Sequence, residues 1–229
     1  MRVLKFCEQQ GVRFVGGNWT LKHKRWLRQL ELPVPLAQQV FGEEMLALDQ
    51  AEQRLARLDA QIKELSVTPH YAKAVGLLRC LRGIDTLTAM AQLTELYEFW
   101  RFAKARALMG YLGLVAGERS SGERQQSTGL TKAGNAFLRR LLIEAAWHYV
   151  KHPLRVSQAQ RAKQEGQPPE AVALAQRAMV RLQRRYLYLV GQGKRKTVAI
   201  AAIARELCGF LWALPQPWAD EQRPAVAAA

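Results

Sequence analysis

Two adjacent serines, Ser120 and Ser121, lie in a basic, glycine-rich stretch of the chain, GERSSGERQQSTGLTKAGN at residues 117–135. A serine hydroxyl is a weak nucleophile at neutral pH and needs a base, a metal ion or strong stabilisation of transition-state charge. Basic side chains close by in the sequence could neutralise a phosphoryl group at such a serine: Arg119, Arg124, Lys132, Arg139 and Arg140. No base is evident, so the residues alone leave attack on a phosphate open and favour a flexible polar loop.

Three other patterns that could carry chemistry do not fit their motifs. The GxSxG elbow of α/β-hydrolases does not occur, because the glycines flank the serines at the wrong intervals. GQGKRKT at residues 191–197 lacks the GxxxxGK[ST] pattern of a phosphate loop, so we predict a basic turn between helices. Glu144, His148 and His152 recur every four residues. Three ligands on one straight helix span about 12 Å and cannot surround a metal, so we predict a charged row instead.

The spacing of apolar residues predicts an all-α fold, beginning with a coiled-coil-like helix. Within residues 43–66 an a/d seam repeats every seven positions, at Leu48, Ala51, Leu55, Leu58, Ile62 and Leu65. The seam holds for fewer than three heptads, so a helix packed inside its own domain and an intermolecular coiled coil both stay open.

A helix-hairpin-helix-like unit follows. Residues 71–81 predict a helix, Gly83 in LRGIDTLTAM ends it, and a new helix begins near Thr86. Backbone N–H groups after such a glycine turn can bind a phosphate, as in DNA-binding modules with a GxG turn. Here Asp85 replaces the second glycine, and its charge would repel a phosphate. Phosphate contact at Gly83 and a plain interhelical turn both remain open.

Further helices are predicted around and after the serine stretch. Their expected spans are Lys104 to Gly110 or Gly113, Thr131 to Pro153, 169–190 and 197–214. Thr131 is the candidate N-cap of its helix, and residues 152–169 are predicted to be a polar linker or exposed turn. A strand is suggested only around residues 12–15.

The charge of the chain predicts polyanionic partners. Among 229 residues, 34 Lys and Arg oppose 19 Asp and Glu, for a formal net charge of +15. Much of the excess lies in residues 151–196, with a row of arginines on one helical segment: Arg177, Arg181, Arg184 and Arg185. That row is either a nucleic-acid surface or a solvated helix face.

Composition also narrows the cellular setting. We find neither a run of about 18 apolar residues nor a secretory segment, and expect a soluble, cytoplasmic protein with no membrane partner. Cys7, Cys80 and Cys208 fit no metal-binding spacing and are expected to be reduced.

Several blocks, in one order, resemble a bacterial insertion-sequence transposase family. They are NWTLKHKRWLRQL, LRGIDTLTAMAQLTEL, RFAKARALMGYLGL, GYLGLVAGERSSGERQQSTGLTKAGNAFLRRLLIEAAWHYV and GKRKTVAIAAIARELCGFLWAL, and the resemblance extends over residues 1–214. Members of that family join an N-terminal Holliday-junction-resolvase-like domain, bearing a DEDD metal site, to a C-terminal domain bearing a catalytic serine. Some members are recombinases guided by a bridge RNA.

The resemblance implies a role for each element of the serine stretch. The serine before glycine is the family's nucleophile, which corresponds to Ser121, with Ser120 as the fallback. It would attack a DNA phosphodiester and form a phosphoserine-linked strand. Candidates for holding DNA phosphates are Arg119, Arg124, Lys132, Asn135, Arg139 and Arg140, with Gly83 at the hairpin. Expected partners are DNA, a guide RNA, and a second copy or a full-length transposase through residues 41–68.

The expected organisation is that of part of a transposase. It comprises a connector (1–40), a coiled-coil-like helix (41–68), a serine transposase domain (69–152), basic C-terminal helices (153–214) and a flexible tail (215–229). The family's acidic domain would precede residue 1, and Glu43, Glu44 and Asp49 do not replace its ligands. We therefore expect no cofactor in this chain, and magnesium only with that domain. A catalytically dead DNA- or RNA-binding remnant, a regulator of full-length transposase, and a structural helical protein with a basic face are the alternatives.

Overall fold

The computed structural model describes residues 2–97, 99–121, 124–150, 156–216 and 218, and only the backbone at residues 100, 118–121 and 124–128. The all-α expectation is confirmed, because ten α-helices and one short 3-10 helix account for most of this part of the chain. Two strands form a single antiparallel ribbon. None of the helices in these ranges is both long and apolar enough to cross a membrane.

The helices and strands have the following bounds. They are α1 (Arg2–Gln9), α2 (Leu21–Gln29), α3 (Pro35–Ser66), α4 (Pro69–Arg79), α5 (Thr86–Leu96), the 3-10 helix (Phe99–Arg101), α6 (Ala105–Tyr111), β1 (Ala116–Ser121), β2 (Arg124–Leu130), α7 (Ala136–Trp147), α8 (Gln158–Gln164), α9 (Pro169–Gly191) and α10 (Lys196–Ala213). The chain divides into two compact units, residues 1–61 and 62–229, and the boundary falls within α3.

The first unit has a small core from α1, α2 and the start of α3. Its buried apolar side chains are Val3, Cys7, Leu27, Leu32 and Phe41. Each helix contributes only one or two of these residues. So small a core does not require a long apolar face on any one helix.

Aromatic side chains around a buried histidine close the first unit, where a strand was expected. His23 is fully buried, with ring centroids 4.9 Å from Phe14 and 5.8 Å from Trp26. The backbone N–H of Trp19 donates to His23 Nδ1 over 2.9 Å, which leaves the ring proton of the neutral form on Nε2. Burial lowers the pKa of His23. Residues 12–15 adopt no strand, so that expectation is wrong.

The second unit is built around α10. This helix packs against α6, α7 and α9, and it buries apolar residues on successive turns: Ala199, Ile200, Ile203, Ala204, Leu207, Cys208 and Leu211. A helix that is apolar on most of its surface belongs in the interior of a domain. The indole N–H of Trp212 donates to the Phe102 carbonyl over 2.7 Å and ties the segment before α6 to this core.

A short polar helix occupies the segment expected to be a linker, residues 152–169. α8 begins after Ser157, whose side chain accepts a hydrogen bond from the Gln160 backbone N–H. The amides of Gln160 and Gln164 both donate to the Cys80 carbonyl, at 2.6 and 3.1 Å. α8 is therefore held on the end of α4 mainly by polar contacts, which an apolar pattern does not reveal.

Candidate nucleic-acid interface

The serine stretch forms an antiparallel ribbon instead of the expected loop. β1 and β2 pair from Ala116 opposite Leu130 to Ser121 opposite Arg124, with an irregularity near the start of β1. The strands are polar and lack alternation, so the backbone ladder between them, not an apolar face, defines the ribbon. Ser120 and Ser121 are the last two residues of β1, at the end of the ribbon where β1 leads into β2.

Two glycines close the base of this ribbon. Gly113 and Gly134 have φ of +64° and +72°, values that disfavour other residues. A Cβ on Gly134 would lie 1.9 Å from the Tyr111 carbonyl oxygen, and one on Gly113 would lie 2.2 Å from the Ala133 oxygen. The backbone N–H of Lys132 also donates to the Gly113 carbonyl over 3.2 Å. The two arms of the ribbon thus leave the core in close backbone contact, which we call the ribbon clamp: residues 111–115 and 131–135.

Arg139 reinforces the ribbon clamp. Its Nη1 donates to the carbonyls of Leu112 and Ala133, each at 2.9 Å, and the side chain is half-buried. The guanidinium that the resemblance places on a DNA phosphate is therefore engaged in holding the two arms together.

Asn135 joins the ribbon clamp to α7 and α5. Its Oδ1 accepts from the Leu138 backbone N–H over 3.0 Å, so Asn135 is the N-cap of α7. Its Nδ2 donates to Glu95 over 2.7 Å. Thr131 was expected to be this N-cap, which is wrong, because its backbone N–H pairs with the Val115 carbonyl inside the ribbon clamp. α7 starts later because the ribbon continues to Leu130.

Exposed cations flank the ribbon clamp. Lys132 is exposed, and exposed Arg140 lies over the Phe137 ring with 5.7 Å to the centroid. Arg101 is a further exposed cation that the sequence patterns do not single out, and its guanidinium lies 4.8 Å from the centroid of Tyr111, a clamp residue. Arg119 and Arg124 belong to the ribbon by their backbone. The base of the ribbon therefore presents positive charge to a polyanion.

The turn at Gly83 lies against the opposite end of α7. Gly83 has φ of +81°, and a Cβ there would lie 2.7 Å from the Ala145 carbonyl oxygen. Ala145 follows Asn135 by ten residues, or about 15 Å of helix. The structure therefore does not bring Gly83 next to the ribbon.

Asp85 has a structural role that accounts for an acidic residue in the GID sequence of this turn. Its carboxylate accepts from the Thr88 backbone N–H over 2.8 Å and caps α5. Burial raises the pKa of Asp85, but the hydrogen bonds from Thr88 and the charge of Lys163 outweigh it, so the net shift is downward. Lys163 Nζ also donates to the Ile84 carbonyl over 3.0 Å. The chain's own carboxylate thus takes the place of an anion at the start of α5.

The expected charged row is only partly described. Glu144 lies 3.9 Å from Arg140 on α7, His148 is the C-cap of that helix, and His152 lies outside the described residues. Within the described ranges, no group of three His, Cys, Asp or Glu side chains is placed to hold a metal ion.

The fold and the site together define the class of the protein. It is a basic, all-α protein whose candidate site is a two-stranded ribbon joined to the helices. Residues 75–162, which contain the Gly83 turn, the ribbon and its clamp, α7 and most of α8, match the sequence model of the "Transposase IS116/IS110/IS902 family". This match supports the assignment of residues 75–162 to a family of insertion-sequence transposases.

Similar proteins carry corresponding names. The chain is 39% identical over 199 residues to "Putative transposase y4qE" of Sinorhizobium fredii, covering 86% of this chain and 47% of that protein. It is 32% identical over 199 residues to "Transposase for insertion sequence element IS1533" of Leptospira borgpetersenii, covering 85% of this chain and 56% of that protein. It is 32% identical over 75 residues to "Transposase for insertion sequence element IS1111A" of Coxiella burnetii, covering 33% of this chain and 21% of that protein. The chain spans about half the length of the first two relatives.

Proposed function

We propose that this chain is the part of an insertion-sequence transposase that binds DNA and supplies the serine nucleophile for strand cleavage and transfer. One observation carries the proposal: the segment that matches the transposase family includes the ribbon, the ribbon clamp and α7. The similar proteins are named transposases, which supports the transposase part of the proposal.

The shape of the ribbon suits DNA. Six residues of β1 extend for roughly 20 Å at 3.3 Å per residue, and the major groove of B-DNA, about 12 Å wide, admits a two-stranded ribbon. The ribbon would carry Ser121 to the DNA, while Lys132 and Arg140 at its base contact flanking phosphates. Such phosphate contacts position a protein on DNA without reading its sequence.

The proposed reaction is a transesterification at phosphorus. Ser121 Oγ attacks a DNA phosphodiester, an Oγ–P bond forms, and the bond from phosphorus to one deoxyribose oxygen breaks. The serine loses its proton to solvent, and the departing oxygen gains one. A free DNA hydroxyl later attacks the phosphoserine and restores Ser121. Arg124, opposite Ser121 in register, is the candidate for stabilising charge on the phosphoryl group.

We further propose that α3 contacts a second copy of the chain or a full-length transposase. Three leucines of the predicted seam are exposed, since the exposed fractions of Leu55, Leu58 and Leu65 are 60%, 43% and 52%. The seam residues Leu48 and Ile62 are half-buried. Leucines left in water at a/d positions are what a coiled-coil partner buries.

A covalent adduct on DNA tests the nucleophile. The purified chain would be incubated with duplex DNA carrying element ends, with and without magnesium, a guide RNA and a separately supplied acidic domain, and then resolved under denaturing conditions. We expect an adduct that Ser121→Ala abolishes and the neighbouring control Ser120→Ala retains. An adduct that survives in Ser121→Ala would contradict the assignment.

The same assay distinguishes the proposed strand cleavage from the non-catalytic alternative. DNA binding that weakens in Lys132→Ala/Arg140→Ala, with no adduct under any condition, would favour a nucleic-acid-binding regulator. Tighter binding to the guide RNA than to DNA would favour RNA as the partner of this part.

A further inference from the structure

A wide groove lined by α9 and α10 lies outside the segment that matches the transposase family. Its volume is about 1220 Å³. Arginines line one wall, and its floor is apolar, with Leu174, Val180 and Phe210 half-buried. The exposed ring of Tyr188 also lines the groove. The proposed nucleophile does not account for this combination of charge and apolar surface.

The arginine wall follows from helical spacing. Arg177, Arg181, Arg184 and Arg185 occupy positions i, i+4, i+7 and i+8 of α9, so they share one face. All four side chains are exposed. Neighbours four residues apart are about 6 Å apart along the helix axis, which lets the row follow a phosphate backbone.

Glu206 of α10 orients two of these arginines without neutralising the row. Its carboxylate accepts from Arg181 Nε over 2.9 Å and lies 3.4 Å from Arg185 Nε. Both pairs use Nε, which leaves the terminal nitrogens of each guanidinium for another acceptor. Arg177 and Arg184 form no ion pair with an acid among the described residues. Four cations and one anion leave a wall of formal charge +3.

The floor and the tyrosine indicate unpaired bases. Tyr188 is 57% exposed, and the Arg185 guanidinium lies 5.6 Å from its ring centroid. A duplex keeps the faces of its bases stacked on one another, so it offers no free base face on which Tyr188 could stack. A single strand presents bases as well, and proteins bind such strands by combining a positive groove with aromatic rings on which bases stack.

We propose that the groove between α9 and α10 binds single-stranded DNA, with the arginine row on its phosphates and Tyr188 stacked on a base. The inference rests on the proposed function, since strand cleavage and transfer separate one DNA strand from its partner. It adds a site distinct from the ribbon, on a different pair of helices.

Oligonucleotide binding tests the groove, with the full chain and one labelled sequence as single-stranded DNA, duplex DNA and single-stranded RNA. Fluorescence anisotropy over a salt series gives the affinity and its salt dependence. We expect Arg177→Ala/Arg184→Ala to weaken single-stranded DNA binding roughly tenfold. The slope of log K against log salt should become shallower by about 1.4, or about 0.7 for each lost phosphate contact.

Tyr188 and a charge-matched control sharpen the test. Tyr188→Ala should weaken binding roughly fivefold or more with an unchanged salt slope, because stacking carries no charge, and Tyr188→Phe should bind like the wild type. Arg25→Ala/Arg28→Ala removes the same charge from exposed positions of α2 and should change neither quantity by a comparable amount.

Three results would overturn the proposal. They are equal losses in the groove and control variants, tighter binding of duplex than of single-stranded DNA through the same residues, and a preference for RNA. The groove and the nucleophile can fail separately. If single-stranded binding depends on the groove but no adduct forms, only the nucleophile assignment falls. If the adduct forms and the groove variants bind normally, only the groove assignment falls.

Discussion

Two buried glutamines show how differently one residue type can be used in this core. Gln160 donates its amide to the Cys80 carbonyl, whereas neither the Oε1 nor the Nε2 of Gln92 has a partner among the described residues. A buried polar group without a partner costs about 1–3 kcal/mol. Their neighbours in sequence do not distinguish them, because the partner of Gln160 lies 80 residues away.

Replacing each glutamine by methionine should therefore have opposite effects. Gln92→Met removes two unpaired groups with little change in volume and should raise the free energy of unfolding by about 1 kcal/mol. Gln160→Met removes hydrogen bonds and should lower it by about 1 kcal/mol. Chemical denaturation of the two variants beside the wild type measures both. A loss of stability in Gln92→Met equal to that in Gln160→Met would show that the amide of Gln92 is satisfied.

Asp85 and Arg139 make the same point about roles at the residue scale. From the sequence, Asp85 is expected to repel a phosphate, and the resemblance implies that Arg139 contacts one. In the structure, Asp85 caps α5, and Arg139 bonds two carbonyls of the ribbon clamp. The role of each side chain depends on which backbone groups the fold places within reach.

At the scale of elements, the ribbon is the part of the site that differs from the expectation, because the sequence favours a flexible loop there. A two-stranded ribbon is marginal by itself, so its anchorage matters. The ribbon clamp supplies that anchorage through the close approach of Gly134 to the Tyr111 carbonyl. The sequence signal is the pair Gly113 in GYLGL and Gly134 in TKAGN, but glycines in or beside a polar stretch equally indicate a loop.

Two glycine substitutions should separate the clamp from the ribbon. Gly134→Ala introduces a Cβ at φ +72° and 1.9 Å from the Tyr111 oxygen, so we expect it to destabilise the chain by at least about 2 kcal/mol. Gly129→Ala, within β2, meets no atom within 4 Å and should change stability by less than about 0.5 kcal/mol. Thermal and denaturant unfolding provide the measurement. Similar stability of the two variants would contradict the clamp.

The sequence pattern does not predict α8 either, and the reason is related. A sequence pattern reveals a helix by its apolar face, and QAQRAKQ has almost none. What holds this helix is a set of polar contacts with the hairpin, including the bond from Lys163 to the Ile84 carbonyl. Such contacts join residues about eighty positions apart, beyond the reach of local periodicity.

At the scale of the whole molecule, the two surfaces proposed for binding lie on different helices. The basic row lies on α9, and exposed leucines lie on α3. The net charge of +15 makes any binding of nucleic acid strongly dependent on salt.

Charge placed on the α3 seam should prevent self-association. We expect the wild-type chain to dimerise and Leu55→Glu/Leu58→Glu to be monomeric, because carboxylates cannot be buried at a and d positions without a partner. Gln53→Glu/Ala60→Glu adds the same charge outside the seam and should remain dimeric. Light scattering after size-exclusion chromatography gives the masses. A monomeric wild type, or a dimeric seam variant, would rule out this contact.

The sequence by itself determined the helical class, the positions of α4, α5, α9 and α10, and the strong positive charge. These follow from local periodicity and composition, which depend on neighbours along one helix. Only the tertiary structure decided that residues 116–130 form a ribbon, that Asn135 caps α7, and that Glu206 orients Arg181 on another helix. Each of these depends on backbone or side-chain groups brought together from distant parts of the chain or from strands without an apolar pattern. The role of the serines stays a proposal that the resemblance implies, and only the tertiary structure decided that their backbone lies in a ribbon.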